Sequence, residues 1–327
     1  MKKNSTHAAY VKRYYNLNCD MLCKTKDMDR AEWLEQRKKG VTGTDVSSIV
    51  GVNNWSSSTA VYLKKLGEVG ETEENEFMYW GTIMEPIIAK EFSKRNENMK
   101  VKSANAILMH PENNWALANI DRLIKDENGN MGILEIKTAS EHSKKMWEAD
   151  EVPVSYLIQI QWYMYVTGTN YGYFAALLGG NHYIQKRVER DDELIEMLVD
   201  ASSDFWNNNV LKRVAPPVDA KSSEVLLKLN PQSNGESIEL KEGSIDTINN
   251  LDRIKDELNR LEIEKRIEEN KLKEELGENE IGVAGDRKVV WKTIERNSVD
   301  SKRLKEEQPE IYEKYLKTTS YRKFDIR

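Results

Sequence analysis

The sequence predicts a mixed α/β domain, with helices flanking a central sheet, followed by a helical extension. Segments with helical and strand periodicity alternate between residues 30 and 210, in the order helix, hairpin, helix, strands, helix. Pro216 and Pro217 end that alternation. The segment beyond them is highly charged, and its apolar residues recur near heptad spacing over residues 243–276.

The first part of the α/β domain is predicted to be helical. Residues 30–50 have the pattern of two helices joined by a glycine-containing turn. Residues 67–76 are acidic and contain glycine, which favours a loop. A helical pattern follows over residues 80–95, where Pro86 implies that the helix either starts close to Met84 or is kinked there.

The middle of the domain is predicted to supply the sheet. Residues 115–124 and 131–138 are apolar and alternating, and Asn128-Gly129 between them is a strong hairpin signal. The pattern then predicts a helix over 153–168, strands over 171–178 and 183–190, and a helix over 191–207.

The C-terminal third divides by charge. Residues 219–280 carry 10 basic and 17 acidic side chains, a net charge of −7, and residues 281–327 have a net charge of +4. Lys265 and Glu268 interrupt the heptads, which favours a helical hairpin or a short coiled coil. The predicted organisation is an N-terminal extension (1–29), an α/β domain (30–218), an acidic linker and helical segment (219–280) and a small basic module (281–327).

Composition excludes some classes of protein. The chain has 327 residues and a net charge of −6, which makes a basic nucleic-acid groove less common without excluding it. It contains no run of 18 apolar residues and no apolar stretch after Lys2 and Lys3, so we expect a cytoplasmic protein without a membrane span or secretory signal. Cys19 and Cys23 could form a disulfide, a metal pair or two inert thiols, and a reducing cytoplasm favours inert thiols.

The tetrapeptide Leu134-Glu135-Ile136-Lys137 lies on a predicted strand, where successive side chains alternate between two faces. Glu135 and Lys137 therefore share one face, while Leu134 and Ile136 share the face expected to be buried. Asp121, on the partner strand, can approach Glu135. Neighbouring carboxylates repel unless a cation lies between them, and oxygen ligands favour Mg²⁺ or Mn²⁺. The alternative is an ordinary cross-strand salt bridge, which these three polar residues alone leave open.

Glu85 adds a third carboxylate to this set. It neighbours Met84, Ile88 and Phe92 on an otherwise apolar helix face, where an unpaired carboxylate is costly. Metal binding would explain its position, and so would a favourable interaction with the helix dipole near the helix N-terminus.

An acid on a helix, then Asp, then Glu-x-Lys resembles the pattern of the PD-(D/E)xK nuclease superfamily. More closely, the chain is similar to the YqaJ viral recombinase family, which is related to lambda exonuclease. The resemblance covers about residues 30–210, and the order and spacing of its motifs are more specific than any single one. The matching stretches are residues 37–45 (RKKGVTGTD), 80–86 (WGTIMEP), 119–121 (NID), 135–137 (EIK) and 159–165 (QIQWYMY).

The resemblance implies a metal centre. Asp121 and Glu135 ligate Mg²⁺, with the Ile136 carbonyl as a further ligand. Glu85 supports a second metal or its water, and Lys137 helps to activate the attacking water.

The resemblance also implies residues that face the substrate. Arg37 and Thr44 match an Arg and a Ser that hold the 5′-phosphate of a DNA end, with threonine replacing the more usual serine. Gln161 matches the glutamine of a QxxxY motif that faces the site, because it lies four residues before Tyr165. Gln159 is the weaker candidate for that role.

The fold and activity implied are those of a PD-(D/E)xK nuclease core acting as a phage-type recombination exonuclease. Such an enzyme uses Mg²⁺, with Mn²⁺ as a substitute, and resects the 5′-ended strand of duplex DNA. The 3′ overhang goes to a single-strand annealing protein, and the family resemblance implies a ring-shaped homotrimer in a bacterial host cell.

Two alternatives stay open. One is a different nuclease on the same fold, such as an endonuclease; a Cas4-like enzyme is disfavoured because it needs four cysteines for an iron–sulfur cluster. The other is a catalytically inactive scaffold that binds DNA ends, which the complete set of Glu85, Asp121, Glu135 and Lys137 disfavours.

Overall fold

The structure is a computed structural model that describes residues 17–70, 75–148 and 152–326. The chain forms two compact units, one ending at Asn230 and the other beginning at Pro231. The predicted loop over 67–76 lies partly outside the described residues, as does most of the predicted N-terminal extension.

Among its described residues the first unit contains eight α-helices and eight strands, besides a 3-10 helix (Glu141–Ser143) and a π-helical segment (Phe205–Val210). Its helices are α1 (Arg30–Arg37), α2 (Gly43–Ile49), α3 (Ser58–Leu66), α4 (Glu76–Arg95), α5 (Lys144–Glu148), α6 (Val154–Thr167), α7 (Asp192–Asp204) and α8 (Ser223–Leu229). Its strands are β1 (Asp20–Lys24), β2 (Lys100–Ser103), β3 (Ala106–Met109), β4 (Leu117–Asn119), β5 (Arg122–Lys125), β6 (Met131–Ala139), β7 (Tyr171–Leu178) and β8 (His182–Glu189).

A five-stranded mixed sheet, in the order β2-β5-β6-β7-β8, forms the centre of this unit. Strands β6 and β7 are parallel, and the other neighbours are antiparallel. Helix α4 packs on one face, where Ile88 and Phe92 meet Leu134 and Ile136. Helix α6 packs against the sheet in a separate apolar cluster that includes Ile133. The predicted α/β class, a mixed sheet flanked by helices, is confirmed.

Local turn chemistry fixes several elements where the sequence predicts them. The β5–β6 hairpin turns at Gly129, whose φ of +90° favours glycine. Asp126 closes this turn by accepting the Asn130 amide at 2.8 Å. Helix α6 begins after Pro153 and ends at Gly168, a left-handed C-cap with a φ of +69°.

Three elements differ from the prediction. The run over 115–124 is not one strand, because β4 pairs with β3 in a separate three-stranded sheet while β5 belongs to the central sheet. Strand β1 pairs with β3, so the predicted boundary at residue 29 falls inside the domain. Helix α4 starts at Glu76 rather than close to Met84, capped by the Asn75 side chain, and Pro86 lies in its interior.

The second unit is described by itself. Its elements are α9 (Ser244–Leu276), strands β9 (Ile281–Ala284) and β10 (Arg287–Val290), α10 (Ser301–Glu307), and α11 (Pro309–Tyr315). Helix α9 is one continuous helix of 33 residues, so the helical hairpin predicted there is wrong, and the alternative, a short coiled coil, stays a prediction. The interruption of the heptads predicts that the helix ends there. Charged i,i+4 pairs, such as Arg253–Glu257, instead stabilise a single solvated helix. Within the described ranges, no helix combines the length and the apolar character needed to cross a membrane.

The two cysteines are free thiols in the structure. Cys19 is buried, and burial together with the nearby Asp20 carboxylate raises its pKa to about 12. A thiol that stays protonated is a poor nucleophile and a poor metal ligand. Of the three interpretations that the sequence allows, the inert thiol is therefore the one that fits Cys19.

Candidate functional site

Strand β6 presents its polar side chains away from α4. Leu134 and Ile136 pack beneath α4, and the alternation of the strand turns Glu135 and Lys137 to the other face. Glu135 is only 3% exposed, which is rare for a carboxylate unless it is paired. The face of the sheet opposite α4 therefore carries a buried acidic site.

Asp121 lies between β4 and β5, where the chain passes from one sheet to the other. In the β5–β6 register Arg122 pairs with Leu134, so the next step places Asp121 opposite Glu135. Its Oδ2 accepts the Ile136 amide at 2.8 Å, which fixes the carboxyl group beside β6. Burial, reinforced by the Glu135 carboxylate, raises the pKa of Asp121 well above its usual range.

Lys137 is held by two oxygens. Its Nζ donates to Glu135 Oε1 at 2.8 Å and to Gln159 Oε1 at 3.0 Å. Burial disfavours its charge, but the Glu135 and Asp121 carboxylates outweigh that effect and raise the pKa of Lys137. Burial also raises the pKa of Glu135, against the opposing effect of the Lys137 cation.

Gln159, rather than Gln161, is the glutamine of this site. Its Nε2 donates to Glu135 Oε1 at 2.7 Å and to the Tyr163 hydroxyl at 2.9 Å. The side chain of Gln161 instead donates to the Glu189 carbonyl at 2.7 Å and accepts the Asp191 amide at 3.0 Å, which secures the start of α7. The assignment of Gln161 is therefore wrong. Both glutamines precede a tyrosine by four residues, so the spacing alone does not distinguish them. They differ in that only Gln159 lies on the helix face that is turned toward β6.

Glu85 lines the same cleft as Asp121, and in addition to burial its charge helps to raise the pKa values of Asp121 and Glu135. Its Oε1 accepts a hydrogen bond from Nη1 of Arg122, in an ion pair that is partly exposed. Within the ranges that the structure describes, no group of three or more His, Cys, Asp or Glu side chains is placed to hold a metal ion. Among the described residues the three carboxylates therefore do not form a ready-made set of metal ligands, and Glu85 is paired with Arg122, so its role at a metal stays a prediction.

Two unpartnered oxygens make the site suitable for a hard cation. Glu135 Oε2 is buried and has no hydrogen-bond partner, and an uncompensated buried carboxylate oxygen is costly. Asn119 Oδ1 is likewise buried and unpartnered, in a residue that lines a cleft with Glu85 and Asp121. Carboxylate and amide oxygens are the ligands that Mg²⁺ and Mn²⁺ prefer.

Arg37 and Thr44 meet at the junction of α1 and α2. The Arg37 guanidinium donates to Thr44 Oγ1 at 2.8 Å and to Thr42 Oγ1 at 3.0 Å. Its Cζ also lies 4.5 Å from the ring centroid of Trp33, which restrains the side chain by a cation–π contact. The two residues that the sequence pairs are therefore in direct contact.

A polar cleft surrounds this pair. It is lined by Arg37, Lys38, Thr44, Ser48, Asn53 and Lys64, together with Asp45, Ser56, Val61 and Lys65. Gly43 brings the cleft close to the buried carboxylates, because a Cβ there would lie 2.6 Å from the Tyr163 ring and 3.1 Å from Gln159 Cγ. The close approach of α2 to α6 therefore requires glycine at this position.

Several site residues are absent from the sequence-based prediction. Tyr163 could have been found, because it completes a QxxxY spacing with Gln159 on one helix face. The Asp45–Lys65 ion pair, at 2.7 Å, joins α2 to α3, and no local pattern announces it. The same is true of the Arg122–Glu85 pair, which depends on the packing of α4.

The first unit thus combines a mixed sheet, helices on the faces of that sheet, and an Asp placed opposite a Glu-x-Lys strand. The family model for the YqaJ-like viral recombinase domain matches residues 32–170. The uncharacterized protein YqaJ of Bacillus subtilis (strain 168) is 40% identical over 314 residues, which cover 94% of this chain and 97% of that protein. The chain therefore belongs to the YqaJ-like viral recombinase family.

More distant likenesses were also found. The uncharacterized protein R354 of Acanthamoeba polyphaga mimivirus is 26% identical over 170 residues, 48% of this chain and 30% of that protein. Among solved structures, the alkaline exonuclease LHK-Exo from Laribacter hongkongensis is 21% identical. Its complex with dAMP covers 61% of this chain and 96% of its own, with a TM-score of 0.46.

Proposed function

We propose that this protein is a magnesium-dependent DNA exonuclease of phage recombination, which resects the 5′-ended strand of a duplex. The observation that carries the proposal is the buried Glu135 carboxylate. Its Oε1 accepts hydrogen bonds from Lys137 and Gln159, whereas its Oε2 has no hydrogen-bond partner. An ordinary cross-strand salt bridge would lie on a solvated surface, whereas this carboxylate is enclosed. Enclosure favours a site that binds a cation.

Asp121 and Glu135 would hold the metal ion, with the Ile136 carbonyl as the family resemblance implies. When bound, Mg²⁺ lowers the pKa of a coordinated water and stabilises charge that develops on a phosphate. Glu85 is a secondary candidate, because Arg122 already occupies one of its oxygens. Mn²⁺ is expected to substitute, since it accepts the same oxygen ligands.

The chain's own cation has a separate task. Lys137 keeps its ammonium charged and aimed by two acceptors, so it can orient a water molecule or balance charge on the scissile phosphate without first reorganising. Gln159 is a positioning residue, because it bonds Lys137, Glu135 and Tyr163 together.

The cleft around Arg37 suits the terminal phosphate. A guanidinium and a hydroxyl that already face each other can both donate to one phosphate, and such charge-assisted bonds are about twice as strong as neutral ones. This arrangement supports an enzyme that recognises a 5′-phosphorylated end. A single-strand annealing protein would take the 3′ overhang, and a homotrimeric ring in the bacterial cytoplasm belongs to the same proposal.

The test uses linear duplexes with and without a 5′-phosphate, labelled at either end, in Mg²⁺ or in EDTA. The wild-type protein should release label from the 5′ end in Mg²⁺ only, and faster from phosphorylated ends. Glu135→Gln should keep the fold and DNA binding but lose activity by more than about 100-fold, because it loses an anionic ligand. Glu189→Gln, which changes an exposed glutamate on the edge strand β8 of the same sheet, is the matched control and should retain activity.

Other outcomes separate the alternatives. Cleavage of a covalently closed circular duplex would indicate an endonuclease, and binding of ends without hydrolysis would indicate a scaffold. Near wild-type cleavage by Glu135→Gln would show that the centre lies elsewhere.

A further inference from the structure

Trp55 is a large side chain that the proposed function leaves unexplained. It is 90% exposed, whereas Trp147 and Trp162 are almost fully buried. A single exposed apolar residue needs no explanation on its own. The loop that carries Trp55 and the cleft beside it are what point to a ligand.

The loop is fixed from several sides. The Trp55 amide donates to Asn53 Oδ1 at 2.8 Å. Asn53 in turn donates from its backbone amide to the Ser47 carbonyl at 2.9 Å and from its Nδ2 to Ser47 Oγ at 3.3 Å. Lys221 Nζ donates to the Gly51 carbonyl at 2.9 Å. The backbone beneath the indole is therefore ordered before any ligand arrives, so stacking on the ring costs little entropy for ordering the loop.

Trp55 borders a cleft of about 390 Å³, which is within the usual size of small-ligand sites. Three lysines line it: Lys64, Lys221 and Lys228. Among the described residues of its lining, Glu224 is the acidic one, and it pairs with Lys228 at 2.8 Å. The described lining therefore carries a net positive charge beside a flat aromatic ring.

This cleft lies next to the cleft around Arg37. Ser56 and Lys64 line both of them, so the two clefts adjoin each other. An anionic chain whose end is held at Arg37 would reach the Trp55 cleft next. Cations that follow a phosphate backbone, combined with an aromatic ring that accepts bases, are the features that bind unpaired nucleic acid.

We propose that the cleft between Trp55 and Lys228 is a second nucleotide site, in which the indole stacks on an unpaired base at the DNA end. The proposal rests on the proposed function and deepens it. A base inside a duplex is covered on both faces, so the ring selects a terminal or frayed nucleotide. The neighbouring lysines take up its phosphates, and the site helps to hold an opened end in register.

The test places 2-aminopurine either at the 5′-terminal position of a phosphorylated duplex or deep within it. Binding to wild type, Trp55→Phe, Trp55→Leu and Trp55→Ala is followed in EDTA. Terminal 2-aminopurine should fluoresce less in the complexes with Trp or Phe at position 55 than with Leu or Ala, and the internal probe should not distinguish them. End affinity should fall by about 5- to 100-fold in the Leu and Ala variants.

Trp55→Leu is the decisive comparison, because it keeps apolar bulk and loses the flat ring. Equal terminal fluorescence and affinity in all four proteins would overturn the stacking site and leave the nuclease proposal standing. Failure of the wild type to bind any DNA end would overturn the proposed function itself. Lys228→Ala should lower the slope of log affinity against log salt by about 0.7–0.9, and an unchanged slope would remove the cleft from the DNA path.

Discussion

At the scale of residues, the hydrogen bonds that join Gln159 to Glu135 and Lys137 determine how these two side chains are oriented. Gln159→Ala should lower kcat by about 10- to 100-fold, because Lys137 and Glu135 both lose the group that aims them. KM for DNA ends should change little, since Arg37 and Thr44 are untouched. Steady-state kinetics on a 5′-phosphorylated duplex measure both constants.

Gln161→Ala is the matched control two residues further along the same helix. It removes two bonds to backbone groups at the start of α7, so it should reduce stability by about 1–3 kcal/mol and leave kcat nearly unchanged. The reverse pattern, an inactive Gln161→Ala and an active Gln159→Ala, would contradict the geometry of the site.

The polar face of β6 was predictable from sequence, because strand alternation alone places Glu135 beside Lys137 on one face. The choice between two glutamines was not predictable. It depends on which face of α6 turns toward β6, and that follows from packing at Gly43 and Gly172, which lie beyond any local pattern.

At the scale of elements, the Asp45–Lys65 pair joins α2 to α3 and positions the Arg37 cleft. The Asp45 and Lys65 side chains are 15% and 5% exposed, and Lys65 also donates to the Arg37 carbonyl at 2.9 Å. Asp45→Asn removes the carboxylate charge beside the buried Lys65 ammonium, so the unfolding free energy should fall on the order of 3 kcal/mol at pH 7. Glu91→Gln, which breaks the exposed Glu91–Arg95 pair, is the control and should cost less than about 0.5 kcal/mol.

The Asp45 effect has a defined pH dependence. Burial disfavours its charge, but the Lys65 and Arg37 cations outweigh burial and hold the pKa of Asp45 below its ordinary value of 3.8. The stabilisation is therefore complete above that value and is lost as pH falls through the lower, folded-state pKa. Urea unfolding should show a constant gap between wild type and Asp45→Asn from pH 5 to 7, narrowing below pH 3.8. If the difference in stability between wild type and Asp45→Asn instead disappeared as the pH rose toward 7, the Asp45–Lys65 pair could not be its cause.

Prediction of elements succeeded where local chemistry decides and failed where pairing is remote. The Asn128-Gly129 hairpin and the α6 boundaries follow from turn and cap residues alone. The division of residues 115–124 into β4 and β5 does not, because both halves have the same apolar pattern. Only their partners, β3 for one and β2 with β6 for the other, distinguish them.

At the scale of the whole molecule, the site belongs entirely to the unit that ends at Asn230. A chain truncated after Asn230 should fold and retain metal-dependent hydrolysis. Its binding to long duplex should weaken and become less salt-dependent, because the slope falls by about 0.9 for each phosphate that the basic residues 281–327 no longer neutralise. A folded but inactive fragment would mean that the second unit completes the site.

The sequence predicts the end of the α/β domain near residue 218, whereas the first compact unit ends at Asn230. The segment between these two positions packs on the core of that unit. Val225 on α8 is 5% exposed within the core, and Lys221 braces the Gly51 loop. A chain truncated after Val218 should therefore melt about 5 °C lower than one truncated after Asn230. No local pattern marks α8 as part of the core, because its other apolar residues are exposed.

The position of Asp121 between two sheets sets a limit on how the length of the chain can change during evolution. Ile120 and Asp121 alone join β4 to β5, and each strand is anchored by its own sheet. One inserted residue there would turn the Asp121 carboxylate away from Glu135. One deleted residue would leave the connection between the two sheets too short to be made without distorting them. The turn over 126–130 lies at the far end of β5 and carries no such constraint, so insertions in descendants of this protein should accumulate in that turn.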